Sequence, residues 1–263
     1  MNVALASAVD HLEAHQDEAV ESRRQGPSWY ALFGAIAVIY VAAAVFVTLV
    51  LHILAGDAMS RTASASFVVL SRDPHLAAIG FIWNPLPTFV QIPLVLILRP
   101  FGLQVLAGPL QSALFMAGAS TVVWQLLGLY PLTASTRGFL AAAFTLNPLI
   151  LTYAADGMSE GSFLFFLVGA IYFFVVWSRG RGYPALIGMA FMAAGGFMTR
   201  YEAIPFAAAG VFALVLGYLS DRKLDPPRLE ASLLAYLAPV AYTVFLWMLF
   251  NWMIMGDPLF FQN

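Results

Sequence analysis

Asp57, Arg61, Arg72, Asp73, His75 and Asn84 crowd into one short stretch of a chain that is otherwise poor in polar groups. Three kinds of chemistry follow from these residue types. A carboxylate such as Asp57, held at the lip of an apolar run, can take the proton of an attacking hydroxyl as a general base. A guanidinium such as Arg61, at that boundary, is a candidate substrate-binding group. Asp73 and His75 are metal-ligand types, but two such residues in one compact turn do not make a metal site. Each group also has a plainer role. Arg61 can pair with Asp57, Asp73 can cap its own turn, and the Trp83-Asn84-Pro85-Leu86-Pro87 segment can serve as an interfacial anchor. Its prolines equally fix the backbone so that Asn84 is held towards a ligand.

Two further polar sets lie downstream. Asp156 and Glu160, in YAADGMSE, are four residues apart and share one face if the segment is helical. They precede an apolar run, where acids also complement a helix dipole. Arg200 and Glu202, in MTRYEAIP, stand between two apolar runs with almost no loop. A cation there can meet a phosphate in the headgroup region or pair with a neighbouring acid.

The elements that must position these groups are apolar. The 263 residues are 61% hydrophobic and 10% charged, with a mean hydropathy of +0.83. A soluble domain carries about 25% charge, so the composition specifies an all-α, polytopic membrane helix bundle. Without cysteine there is no disulfide framework and no thiolate metal site. Without a basic stripe there is no nucleic-acid partner. Residues 1–28 read as a polar cytoplasmic tail and 29–263 as one membrane module. The runs Trp29–Leu54, Pro109–Leu129, Phe139–Ala155, Gly161–Trp177, Pro184–Met198, Ala203–Leu219 and Leu229–Met255 predict about seven spans. Asn147-Pro148 predicts a bend. Pro85–Leu98 is apolar but short and punctuated by proline, which is the pattern of an interfacial or re-entrant segment.

Positive charge decides the topology. If Pro85–Leu98 does not cross, one side holds Arg23, Arg24, Arg137, Arg179, Arg181, Arg222, Lys223 and Arg228. The other then holds only Arg61, Arg72, Arg99 and Arg200. The positive-inside rule favours that arrangement, with a cytoplasmic N-terminus and a long outer loop, 55–108, carrying membrane-surface helices. Asp57, Asp73, His75, Asp156, Glu160, Arg200, Glu202 and Asp257 then all face outward. On this reading Asp57 sits where the first span ends, an unfavourable place for a carboxylate at a helix C-terminus.

The segments GDAMSR, SRDPHLAAIGFIWNPLP, NPLILTYAADGMSE, MTRYEAIPF and GDPLFF resemble those of the GT-C superfamily of membrane glycosyltransferases, near the protein O-mannosyltransferases and the lipid A aminoarabinose transferases. The resemblance implies an enzyme of the cell membrane that moves a sugar from a polyprenyl-phosphate donor to an extracytoplasmic acceptor, whether glycan, lipid or protein, with inversion. It implies Asp57 as the catalytic base, and Asp156 or Glu160 with Arg200 as binders of acceptor and lipid phosphate. Arg61, Asp73, His75, Asn84 and Glu202 would complete the substrate site. Relatives differ in whether a divalent metal assists. Many carry a second acid where this chain has Ala58, and lysine where it has Arg200. They also continue with further spans, which implies that this chain is C-terminally incomplete. The competing readings are a polytopic transporter, to which intramembrane charges and proline-broken helices also belong, a noncatalytic membrane module, and a truncated, inactive remnant.

Overall fold

The computed structural model describes residues 27–180, 182–220 and 225–262. Residues 1–26, Arg181, residues 221–224 and Asn263 lie outside them, and with them the expected cytoplasmic tail and the basic residues Arg23, Arg24, Arg222 and Lys223. Among the described residues every regular element is helical. The principal helices are α1 (Trp29–Val45), α2 (Gly56–Leu70), α3 (Leu86–Leu98), α4 (Ala107–Leu127), α5 (Ala134–Thr145), α6 (Pro148–Ala155), α7 (Glu160–Gly180), α8 (Tyr183–Phe197), α9 (Ala203–Leu219) and α10 (Pro226–Met255).

Four segments are long and apolar enough to cross a membrane: 29–50, 104–127, 160–180 and 226–255. The pair α5–α6 makes a fifth if its 52° bend is part of one span. That bend falls at Asn147-Pro148, as the sequence predicts. Pro148 begins α6, and the Asn147 Oδ1 accepts from the Leu149 amide at 2.9 Å. Helices α8 and α9 have 15 and 17 residues, short of the ~30 Å hydrocarbon core at ~1.5 Å per residue. These lengths and compositions are those of a multi-pass membrane protein.

The bundle is organised around α4. Ala113, Met116, Ala117 and Ala119 pack against Ile36, Ala37, Tyr40 and Ala44 of α1 and Ala154 and Ala155 of α6. Small side chains let the backbones approach, which is how helices associate where lipid removes the hydrophobic drive. The buried Tyr40 hydroxyl lies 2.9 Å from Ser120 Oγ and donates to the Thr145 carbonyl at 2.8 Å, knotting α1, α4 and α5. A second cluster joins α7, α8, α9 and α10 through Trp177, Leu186, Met189, Leu214 and Tyr236.

The chain shuttles between two ends. At one, Trp29, Trp124, Gly128, Arg137 and Tyr172 border a shared open hollow. At the other, Ala58, Pro109 and Gly157 meet. Gly157 has φ +78°, and a Cβ there would lie 2.9 Å from Pro109 Cδ and 3.1 Å from the Ala58 Cβ. This junction seats α2 on the tip of α4 and on the α6–α7 turn.

The structure corrects two expectations. Asp57 does not close the first span. That segment ends in a π-helical turn, Phe46–Val50, after which His52 adopts φ 53° and the Ile53 amide reaches back to the Val47 carbonyl at 3.0 Å. A left-handed residue with that backward bond is a helix stop. The extended Ala55 then caps a new helix, and Asp57 lies in its first turn. There a carboxylate complements the dipole instead of opposing it. Nor do Asp156 and Glu160 share a helix face. Asp156 is the C-cap of α6, Gly157 turns left-handed, and Glu160 opens α7.

Gly157→Ala should destabilise the full chain in detergent by about 1–3 kcal/mol through backbone strain and overpacking. Gly80→Ala, at φ +77° but with open space around it, should cost only the strain. Equal losses in thermal unfolding would show that the close approach at Gly157 contributes nothing.

Candidate functional site

At the Gly157 end a cleft of about 200 Å³ opens between three turns and the start of α2. Asp57 and Arg61 line it from α2, Trp83 and Asn84 from the turn before α3, Met158 and Ser159 from the α6–α7 turn, and Thr199, Arg200, Tyr201 and Glu202 from the α8–α9 turn.

Backbone ties hold these turns together. The Asn84 side-chain Nδ2 donates to the Phe197 carbonyl, and the Leu86 backbone N–H donates to the Met198 carbonyl at 2.9 Å. Asn84 is thus a fixed strut, 2% exposed. Tyr201 adds a second tie. Its hydroxyl donates to the Ile82 carbonyl at 3.3 Å and accepts from Trp247 Nε1 at 3.2 Å. Trp247 stacks on Phe81, and Tyr201 stacks on Phe261. Burial pushes the Tyr201 hydroxyl above its ordinary pKa, so it stays a neutral donor.

Arg200 is the electrostatic centre of the α8–α9 turn. Its Nη2 and Nε donate to the two oxygens of Glu202 at 2.7 and 3.2 Å, and its Nη1 pairs with Glu160 of α7. The hydrogen bonds that Arg200 donates to Glu202 hold its guanidinium above its usual range, and Glu202 is lowered in return. Arg200 is therefore neutralised within the protein, the ion-pair alternative open at the level of sequence.

Arg61 is arranged differently. It is 6% exposed. Its Nη1 donates to the Asn84 carbonyl at 3.3 Å, and its guanidinium lies 5.0 Å from the Trp83 ring centroid. Burial first, and the like charge of Arg200 second, lower its pKa to about 10, with Asp57 and Glu160 opposing. Asp57, four residues before it, is exposed and forms no ion pair among the described residues.

Of the residues singled out in the sequence, Asp57, Arg61, Asn84, Arg200 and Glu202 share the cleft, and Glu160 stands directly behind Arg200. Asp73 and His75 do not line it. They pair with each other at 3.7 Å on an exposed turn, and His75 Nδ1 sits 2.6 Å from the Asp73 carbonyl. Asp156 does not line it either. Its Oδ1 accepts from the Met158 amide at 2.9 Å, fixing the turn that carries Ser159. No group of three or more His, Cys, Asp or Glu among the described residues could hold a metal ion. Two of the acids nearest the cleft, Glu160 and Glu202, are already taken by Arg200.

A buried polar chain escaped the sequence reading. Thr62 Oγ1 donates to Gln91 Oε1 at 3.0 Å, Gln91 Nε2 donates to Gln111 Oε1 at 2.9 Å, and Gln111 Nε2 donates to Ser162. It links α2, α3, α4 and α7. The available signal was a glutamine inside each of two apolar runs, since such a group must find a partner away from water.

Compared with protein families, curated proteins and solved structures, the chain matches none.

Burial raises the Asp156 carboxyl to about 6. The folded protein thus holds this proton more tightly than the unfolded chain, whose aspartates titrate near 3.9. The protonated form contributes stability that is full below about pH 4 and lost as the pH rises through about 6. Asp156→Asn keeps the acceptor for Met158 and removes that loss. It should be more stable than the wild type at about pH 7, with the difference vanishing near pH 4. Lower stability of the variant at neutral pH, in detergent unfolding, would mean that Asp156 is needed as an anion.

Proposed function

We propose that the chain is a membrane glycosyltransferase of the GT-C kind, moving a sugar from a polyprenyl-phosphate donor to an acceptor outside the membrane. The observation that carries the reading is the cleft itself. Asp57, which forms no ion pair among the described residues, and two arginines are gathered at one end of an apolar bundle. The motifs that bear the resemblance supply most of its lining.

The topology that suits this reading has seven passes: α1, α4, the bent α5–α6 pair, α7, α8, α9 and α10. Helices α2 and α3 form the outer loop. Arg137, Arg179 and Arg228 then lie at the cytoplasmic end, away from the cleft, in keeping with the positive-inside rule. The cleft opens to the extracytoplasmic side.

In the proposed reaction the acceptor hydroxyl attacks the anomeric carbon as Asp57 takes its proton. The new glycosidic bond forms as the bond from that carbon to the phosphate oxygen breaks. The electron pair leaves on the phosphate, which the arginine side of the cleft stabilises. A single displacement inverts the anomeric centre. Asp57 suits the part: it is an exposed carboxylate in the first turn of α2 and it lines the cleft.

Two experiments test the proposal. Asp57→Asn retains shape but cannot accept the proton, so transfer from a labelled polyprenyl-phosphate sugar should fall by about 10²–10⁴ at unchanged expression and melting temperature. Wild-type transfer by this variant would remove Asp57 from the mechanism. Because the chain has no cysteine, single replacements report sidedness cleanly. An impermeant maleimide should label His75→Cys in intact cells and Ser135→Cys only after permeabilisation. The reverse pattern would place the cleft in the cytoplasm.

A further inference from the structure

The two arginines of the cleft are not equivalent. Arg200 is saturated by carboxylates: Glu202 takes two of its nitrogens and Glu160 the third. Arg61 is more deeply buried, yet among the described residues it forms no ion pair, and its one hydrogen bond, from Nη1 to the Asn84 carbonyl, leaves Nε and Nη2 without an acceptor. Neither nitrogen is among the fully buried polar atoms that lack a partner, so both keep some contact with solvent, yet a guanidinium this buried is ordinarily paired. Asp57 and Glu160 feel its field but do not reach it, and its pKa stands below the usual value, so these neighbours hold the cation less well than water does.

We infer that Arg61 is the anion receptor of the cleft, taking a phosphoryl group on its free edge, and that Arg200 is a positioning residue. The resemblance alone would give the phosphate to Arg200. The geometry favours Arg61 because an incoming phosphate would have to displace two acids from Arg200 and none from Arg61. Trp83 serves the same end. Its ring lies against the guanidinium and, with the Asn84 carbonyl, fixes the plane of the fork, so that little side-chain freedom is lost on binding. Trp83-Asn84 is itself braced by Phe197, so the receptor is set by the α8–α9 turn. The phosphoryl group has two possible carriers, a lipid headgroup or a free phosphate. The choice of a lipid carrier rests on the transferase reading, whereas the receptor rests only on the charge balance.

The test uses the full chain purified in a maltoside detergent, which contains no phosphate. Farnesyl phosphate, farnesol and inorganic phosphate are titrated by calorimetry. Farnesyl phosphate should bind, inorganic phosphate should compete with it, and farnesol should bind far more weakly. Arg61→Gln should weaken farnesyl phosphate by about 10–100-fold, the loss expected for hydrogen bonds to a charged group. Arg61→Lys keeps the charge but not the fork and should fall between. If Arg61→Gln does not fold, Arg61→Lys decides, and an unchanged affinity there overturns the inference. Undiminished binding by a folded Arg61→Gln overturns it as well, as does wild type that binds neither inorganic phosphate nor farnesyl phosphate above the level of farnesol. Binding of inorganic phosphate alone would keep the receptor and remove the lipid carrier. Phosphate capture that depends on Arg61, in a protein that transfers no sugar, would keep this inference and remove the transferase. Sugar transfer at the wild-type rate by Arg61→Gln would do the opposite.

Discussion

The ion-pair cluster of Arg200 with Glu160 and Glu202 is the constraint on which the polar end of this molecule depends. The α8–α9 turn is only a few residues long, and its backbone carbonyls at Phe197 and Met198 hold the Trp83-Asn84-Pro85 turn. Glu160 opens α7, so its bond to Arg200 fixes that turn to the first helical position of a neighbouring span. The side chains of Arg200 and Glu160 are 28% and 24% exposed. In that range an ion pair is neither fully screened nor left to bear the whole cost of desolvation. Remove it, and Glu160 and Glu202 lose the cation that answers them both.

Beneath this cluster the interior meets the same demand by different means. The Thr62–Gln91–Gln111–Ser162 chain joins four buried side chains, and it does so by crossing α2, α3, α4 and α7. Tyr40, with Ser120 and the Thr145 carbonyl, does likewise among α1, α4 and α5. Such networks specify register in a bundle whose packing of alanine against alanine is permissive. The cleft is therefore a rigid seat, with its arginines held before any ligand arrives.

The helical, multi-pass character of the described residues was legible because apolar composition is read directly from the sequence; the number of spans was not, since four helices, or five with the bent pair, are long and apolar enough to cross. The bend at Asn147-Pro148 was legible because proline and an Asx cap act locally. What sequence could not show was where local rules yield to tertiary ones. His52 adopts a left-handed conformation that glycine usually supplies, so the helix stop before Asp57 carried no glycine signal, and Gly56 looked like the stop when it is a start. Asp156 and Glu160 have helical spacing, but Gly157 breaks the helix between them. At the site, Asp57, Arg61, Asn84, Arg200 and Glu202 could be picked out as polar groups in apolar surroundings. Their division of labour could not, because the contrast between a saturated Arg200 and an unpaired Arg61 exists only once the turns are assembled.

A double-mutant cycle on Glu160 and Arg200 tests the account at its root. Glu160→Gln, Arg200→Gln and the double variant are unfolded reversibly in mixed micelles beside the wild type. If the pair is what fixes the α8–α9 turn to α7, the two losses are strongly non-additive, with a coupling of about 1–3 kcal/mol. Additivity to within about 0.5 kcal/mol would mean that the cluster is an incidental surface contact and that the cleft is held together by something else.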